Sequence, residues 1–230
     1  MKECPFCREM LHEDTLRCYY CGKILIDIPS GSRDTAESYQ NIFKAVDNSN
    51  EDAVKAFIRK GIDLNAREDK YGATPLHHAA RIGKTAMVEL LISSGADKNA
   101  KDYFGSTPLL MASNFGRDEV VDLLIKSRAD INLNNSEGNT PLHTACYEGY
   151  FHIAESLLGN GADPDASNNW GWTPLHNAAW KGRKEIISLL LSHGADAALE
   201  TIDGESPMRF ALQERHMDAV EVLMLHGLRP

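Results

Sequence analysis

The segment Thr74-Pro75-Leu76-His77 returns along the chain as Thr107-Pro108-Leu109-Leu110, Thr140-Pro141-Leu142-His143, Thr173-Pro174-Leu175-His176 and Ser206-Pro207-Met208-Arg209, always 33 residues on. Gly72, Gly105, Gly138, Gly171 and Gly204 keep the same interval. A fixed period of this length implies one small unit copied and stacked, because such a unit cannot bury its apolar face alone and must lay it on a neighbour. Each position in the copy has a physical reason. Thr caps a helix, and Pro fits the first turn, where its missing N–H would have had no partner. The following His is expected to hydrogen-bond locally and brace the turn. Small pairs such as Ala79-Ala80 and Ala178-Ala179 keep this helix slim enough for close stacking, and Gly83, Gly116, Gly149 and Gly182 end it in a left-handed conformation. Val88-x-Leu90-Leu91, Val121-x-Leu123-Leu124 and Ile187-x-Leu189-Leu190 supply the buried stripe of a second helix.

A 33-residue period with Thr-Pro-Leu-His at each helix entrance resembles the ankyrin repeat, and the resemblance covers residues 36–230. It implies a mostly α fold: a solenoid of helix-turn-helix units joined by β-hairpin loops, about six repeats long. Four repeats keep the consensus. An irregular first one is placed upstream, with Asn41 to Asn48 as its inner helix, Ala53-Val54 and Phe57-Ile58 in its outer one, and one extra residue in the hairpin between Arg67 and Tyr71. In the last, Arg209 and Arg215 replace the usual His and Gly, as expected where a repeat has to face water.

The cysteines form a second constraint. Cys4, Cys7, Cys18 and Cys21 make two Cys-x-x-Cys pairs ten residues apart, and Cys146 stands alone. Two such turns facing each other supply the four-thiolate tetrahedral shell that structural zinc takes. A segment of some 26 residues cannot fold on its own core, whereas a bound metal can order it. A thioredoxin-like redox pair and another metal such as iron, which a four-thiolate site also accepts, are the competing chemistries, but the redox motif follows a buried strand, and only three residues precede Cys4. Cys4-Pro5-Phe6-Cys7, Glu13-Asp14 and Cys18 to Gly22 resemble the short zinc ribbon found at one end of many bacterial proteins. The expected organisation is therefore a zinc ribbon over residues 1–26, a linker over 27–35 and an ankyrin domain over 36–230.

Function is sought in positions that folding leaves free, namely those flanking each hairpin glycine and those just before each helix-ending glycine. The chain has 3 Trp, 7 Tyr and 7 Phe. Eight of these fall at free positions: Tyr71, Tyr103, Phe104, Phe115, Tyr147, Trp170, Trp172 and Trp180. All three tryptophans belong to one repeat. Exposed aromatic clusters mark interaction sites, and Trp and Tyr dominate interface energetics. With the resemblance, this implies a noncatalytic adaptor or inhibitor that binds a protein partner on its concave face, centred on Trp170, Trp172 and Trp180. The competing expectation for those aromatics is that they stiffen the hairpin row.

The alternative function is a nucleic-acid-associated adaptor that uses the ribbon. The formal charge of −9, with four basic and five acidic groups in residues 1–30, weighs against it. Walker, Gly-x-Ser-x-Gly, His-Glu-x-x-His and kinase signatures are missing, so no enzyme and no small-molecule substrate are expected. Cys146 lies three residues from His143, but it fills a small-residue core position and reads as a buried thiol. Apolar runs are too short to span a bilayer, and no export signal precedes the charged start, so the expected location is cytoplasmic.

Overall fold

The structure is a computed structural model that describes residues 2–3, 10–11, 42–68 and 70–226. The chain divides into two units, Met1–Asp34 and Thr35–Pro230. In the first, strand β1 (Lys2–Glu3) pairs antiparallel with β2 (Met10–Leu11), in the register Lys2 to Leu11 and Glu3 to Met10. The four N-terminal cysteines and the linker 27–35 lie outside the described residues.

In the second unit the helices come in pairs: α1 (42–47) with α2 (Glu51–Arg59), α3 (Pro75–Ile82) with α4 (Thr85–Ser93), α5 (Pro108–Asn114) with α6 (Asp118–Lys126), α7 (Pro141–Glu148) with α8 (Phe151–Gly159), α9 (Pro174–Trp180) with α10 (Lys184–Ser192), and α11 (Pro207–Gln213) with α12 (Met217–Leu225). Among the described residues these are six repeats. The first member of each consensus pair packs on the first member of the next, α3 on α5, then α7, α9 and α11. The second members form a parallel row from α4 to α12. The core runs unbroken along the stack: Leu76, Leu91, Leu109, Leu124, Leu142, Leu157, Leu175 and Leu190 are fully buried. At roughly 1.5–3 kcal/mol for each such side chain, the apolar stripes supply the driving force for stacking.

Polar ties repeat with the same period and set the spacing. Thr74, Thr140 and Thr173 each donate a backbone N–H to the Nδ1 of the histidine three residues on. That places the proton on Nε2, which bonds the carbonyl of Ser106, Trp172 and Glu205 respectively, at 2.9–3.1 Å. The histidine therefore does more than brace its own turn, because it fastens each repeat to the hairpin of the next. Leu110 holds the same place in the third repeat and makes no such bond. A second tie runs from the residue before each outer helix to the end of the preceding inner helix: Arg117 to the Arg81 carbonyl, Arg183 to that of Glu148 and His216 to that of Trp180. Tyr150, in that place between the third and fourth repeats, lays its ring against Gly116 instead.

The hairpin tips are joined as well. Tyr103, Ser136, Asn169 and Ile202 donate N–H groups to the carbonyls of Tyr71, Phe104, Glu137 and Trp170 in the preceding tip. This contact explains one glycine column: at Gly138, with φ +84°, an added Cβ would come within 2.8 Å of the Asn169 nitrogen. The first tip closes from Glu68 N–H to the Ala73 carbonyl, whereas the later ones close four residues apart, as from Asp102 to Ser106, so the extra residue lies in that turn. Along the other loops Asn65, Asn99, Asn132 and Asp165 each accept the N–H of an aspartate in the following repeat: Asp97, Asp130, Asp163 and Asp196. These aspartates in turn fold their own loops by accepting the N–H two residues on. The first two repeats are also joined through His78, placed between Asp47 at 2.9 Å and Glu68 at 3.4 Å.

Candidate protein-binding surface

Four aromatic side chains from three successive repeats meet on the inner-helix face. Tyr147 near the end of α7 lies 5.6 Å from Trp180 at the end of α9, with the rings inclined at 58°. Trp180 meets Trp172 edge to face, with centroids 5.2 Å apart at 78°. Trp172 continues to Phe210 of α11 at 4.5 Å. His176 lies beneath, 6.2 Å from Trp172 and 5.9 Å from Phe210. Tilted and edge-on pairs at these separations are the favoured ones, so the stripe is partly pre-organised. All four aromatic side chains are half-buried.

The local chain explains why Trp172 is available. Asn168 Oδ1 accepts the N–H groups of both Trp170 and Trp172 and folds the tip, while the Trp172 carbonyl is held from the preceding repeat by His143. Gly171, at φ +75°, turns the chain between the two tryptophans. Trp170 thereby leaves the cluster expected from the sequence: it is 44% exposed at the tip and makes no ring contact among the described residues.

The other expected residues are placed elsewhere. Tyr103 is 49% exposed, and its ring covers Gly72, where a Cβ would come within 2.5 Å of it. That is the stiffening role weighed for the hairpin row. Tyr71 lies under the Lys70 ammonium at 4.9 Å. Phe104 and Phe115 are half-buried, without ring contacts among the described residues. Phe210 was not among the expected residues. Its signal was present in the sequence, since it occupies the column of Asn177 one period earlier, on the inner helix immediately after the histidine place.

Lys181 completes the surface, its ammonium 4.4 Å from the ring centroids of both Tyr147 and Trp180. At the free positions of the last three repeats the acids are Glu137, Glu148, Asp203, Glu205 and Glu214, against this single base. Arg209, which holds the histidine place in the sixth repeat, is paired with Glu205 at 2.9 Å. Burial holds His77, His143 and His176 down at about 4, so the three ties are made by neutral imidazoles near pH 7. The Cys146 thiol is fully buried and its pKa is raised by that burial, which makes it an unreactive core group. Among the described residues no group of His, Cys, Asp and Glu is placed to hold a metal, and no helix is long and apolar enough to cross a membrane.

Comparison with known proteins agrees with the repeat. A family model for ankyrin repeats in many copies matches residues 109–158 and 143–191, and one for three ankyrin copies matches residues 19–102. The latter begins inside the segment read as a metal module. Mouse 2-5A-dependent ribonuclease is 39% identical over 69 residues, which is 30% of this chain and 9% of that protein. A putative ankyrin repeat protein of fowlpox virus is 57% identical over 42 residues, 18% of this chain and 6% of its own. The Drosophila Neurogenic locus Notch protein is 32% identical over 85 residues, covering 37% and 3%. The chain thus spans less than a tenth of the length of these relatives.

Proposed function

The chain belongs to the ankyrin-repeat family, and from that premise we propose that it is a noncatalytic binding protein whose partner docks on the aromatic stripe Tyr147, Trp180, Trp172 and Phe210. Repeats of this family typically mediate protein–protein interaction. The observation that carries the assignment to this face is the stripe itself. Four aromatic side chains, drawn from three repeats, converge on one face, in columns that mostly hold polar residues in the other repeats. Trp170, Tyr103 and Ile202, exposed along the hairpin tips, would extend the contact at its rim. Phe104, Phe115 and Tyr71 would lengthen it toward the second and third repeats. Replacing Trp172 and Trp180 together by Ala is expected to abolish partner capture while helical circular dichroism and the unfolding midpoint stay near wild type. Unchanged capture by a folded variant overturns the assignment.

The four N-terminal cysteines are proposed to hold one structural zinc in a Cys4 shell. The support is the donor set and its spacing, together with the pairing of β1 and β2, which brackets the segment carrying Cys4 and Cys7 in sequence. A closed shell of four thiolates leaves no position for substrate, and its thiols need a reducing compartment such as the cytoplasm. Metal analysis of the purified chain is expected to give one zinc, lost in Cys18→Ser; a metal-free chain of unchanged stability counts against the site.

A further inference from the structure

We infer that the corner enclosed by Tyr147, Trp180 and Trp172 is a receptor for a cationic side chain of the protein partner, and that Lys181 fills it in the free protein. This rests on the reading of that face as the docking surface and says what chemistry docks there.

The three rings do not stack. Successive planes meet at 58° and 78° with centroids 5.2–5.6 Å apart, so they wall a corner instead of forming a flat apolar plate. Ring faces attract cations through their quadrupole when the charge lies within about 6 Å of the centroid. The chain supplies its own demonstration: the Lys181 ammonium lies 4.4 Å from two of the centroids and forms no ion pair among the described residues. In a chain with 33 acidic side chains, this ammonium rests on aromatic faces.

The surroundings favour the same sign of charge. Glu137 and Glu148 flank the corner in sequence on the fourth repeat, and Asp203 and Glu214 on the sixth, where Glu205 and Arg209 neutralise each other. An acidic partner would meet these carboxylates, and Lys181 is the one base at the free positions of these repeats. A purely apolar partner would send the Lys181 ammonium into water and leave the ring faces without the cation they attract. A lysine or arginine suffers neither penalty. It takes the place of the Lys181 ammonium, whose flexible stem carries it into water. Arginine is the better fit, because its planar guanidinium stacks on rings and is more weakly hydrated than an ammonium.

The test uses the full chain and three capped Gly/Ser peptides of equal length, carrying two arginines, two lysines or two glutamates, titrated against tryptophan fluorescence in wild type, Lys181→Ala, Trp180→Leu and the double variant. The arginine peptide is expected to bind, the lysine peptide more weakly and the glutamate peptide not at all. Removing the resident cation in Lys181→Ala should tighten the arginine peptide three- to tenfold. That gain should vanish in the double variant, where the ring is gone and only the change of net charge remains. Equal binding of the glutamate peptide, no tightening in Lys181→Ala, or tightening that survives Trp180→Leu overturns the inference. If Trp180→Leu leaves peptide binding unchanged while the Trp172/Trp180 alanine variant still loses its partner, the docking surface stands and the cation receptor falls. If neither responds, both fall.

Discussion

The junctions inside the stack and the face that the sixth repeat presents beyond α11 and α12 use the same columns of residues, filled differently. Ala80, Ser113, Cys146 and Ala179 share one column and are completely buried, because the next inner helix lies against them; the sixth repeat has Leu212 there, 38% exposed. The column of Gly83, Gly116, Gly149 and Gly182 admits a side chain from the following repeat directly over its backbone, whereas Arg215 holds the place in the sixth at φ +60°. Asn65, Asn99, Asn132 and Asp165 each offer an oxygen to the next loop; Ala198 offers none. Gly138 is pressed by the next tip, while around Gly204 the nearest group is the Glu200 carboxylate at 3.9 Å. Many consensus residues are thus demanded by the neighbour and not by the repeat that contains them. Where the neighbour's demand lapses, the column is free to change.

Acid should break the interior most strongly. The buried histidines hold about 4 against an ordinary 6.5, so the unfolded chain binds more protons between those values and stability is lost as the pH falls through that window. By pH 4 each imidazole accounts for roughly 3 kcal/mol, and three together are comparable with the whole stability of a typical domain. Urea midpoints measured from pH 7 to 5 should decline steeply, with a slope reduced by about one proton in His143→Ala. A flat profile would mean that the ties are not buried neutral imidazoles. A smaller effect comes from exchanging the two ends of one column. Ala179→Leu forces a branched side chain between α9 and α11 and should cost about 3 kcal/mol, whereas Leu212→Ala, away from any following helix, should stay within about 0.5 kcal/mol. Equal costs in denaturant unfolding would erase the distinction between junction and end.

Much of this architecture was legible in the sequence, because the period, the Thr-Pro entrances and the small pairs are local demands written in the residues that meet them. The cross-repeat half was not. His77 and Ser106 are 29 residues apart, and nothing in either names the other until the stack brings them to 2.9 Å. Trp170 and Trp172 look like one site because an extended chain would point both the same way; the left-handed turn at Gly171 parts them. Phe210 was hidden for the opposite reason. It lies on a framework helix, and it joins the stripe only because α11 carries it against a tryptophan contributed by the fifth repeat.

The leucine at position 110 divides the molecule in a way that composition does not show. Between the third and fourth repeats the imidazole tie is missing, and Tyr150 leaves the preceding helix-end carbonyl without the bond that Arg117, Arg183 and His216 make elsewhere. What remains there is apolar packing, the rung from Ser136 to Phe104, and exposed bonds such as Lys101 to the Asn134 carbonyl. This seam is the lightly bolted one at neutral pH and the one consensus junction with no imidazole for acid to protonate. It separates a front half from a rear half that carries the entire aromatic stripe, so the stripe lies whole on one side of the seam.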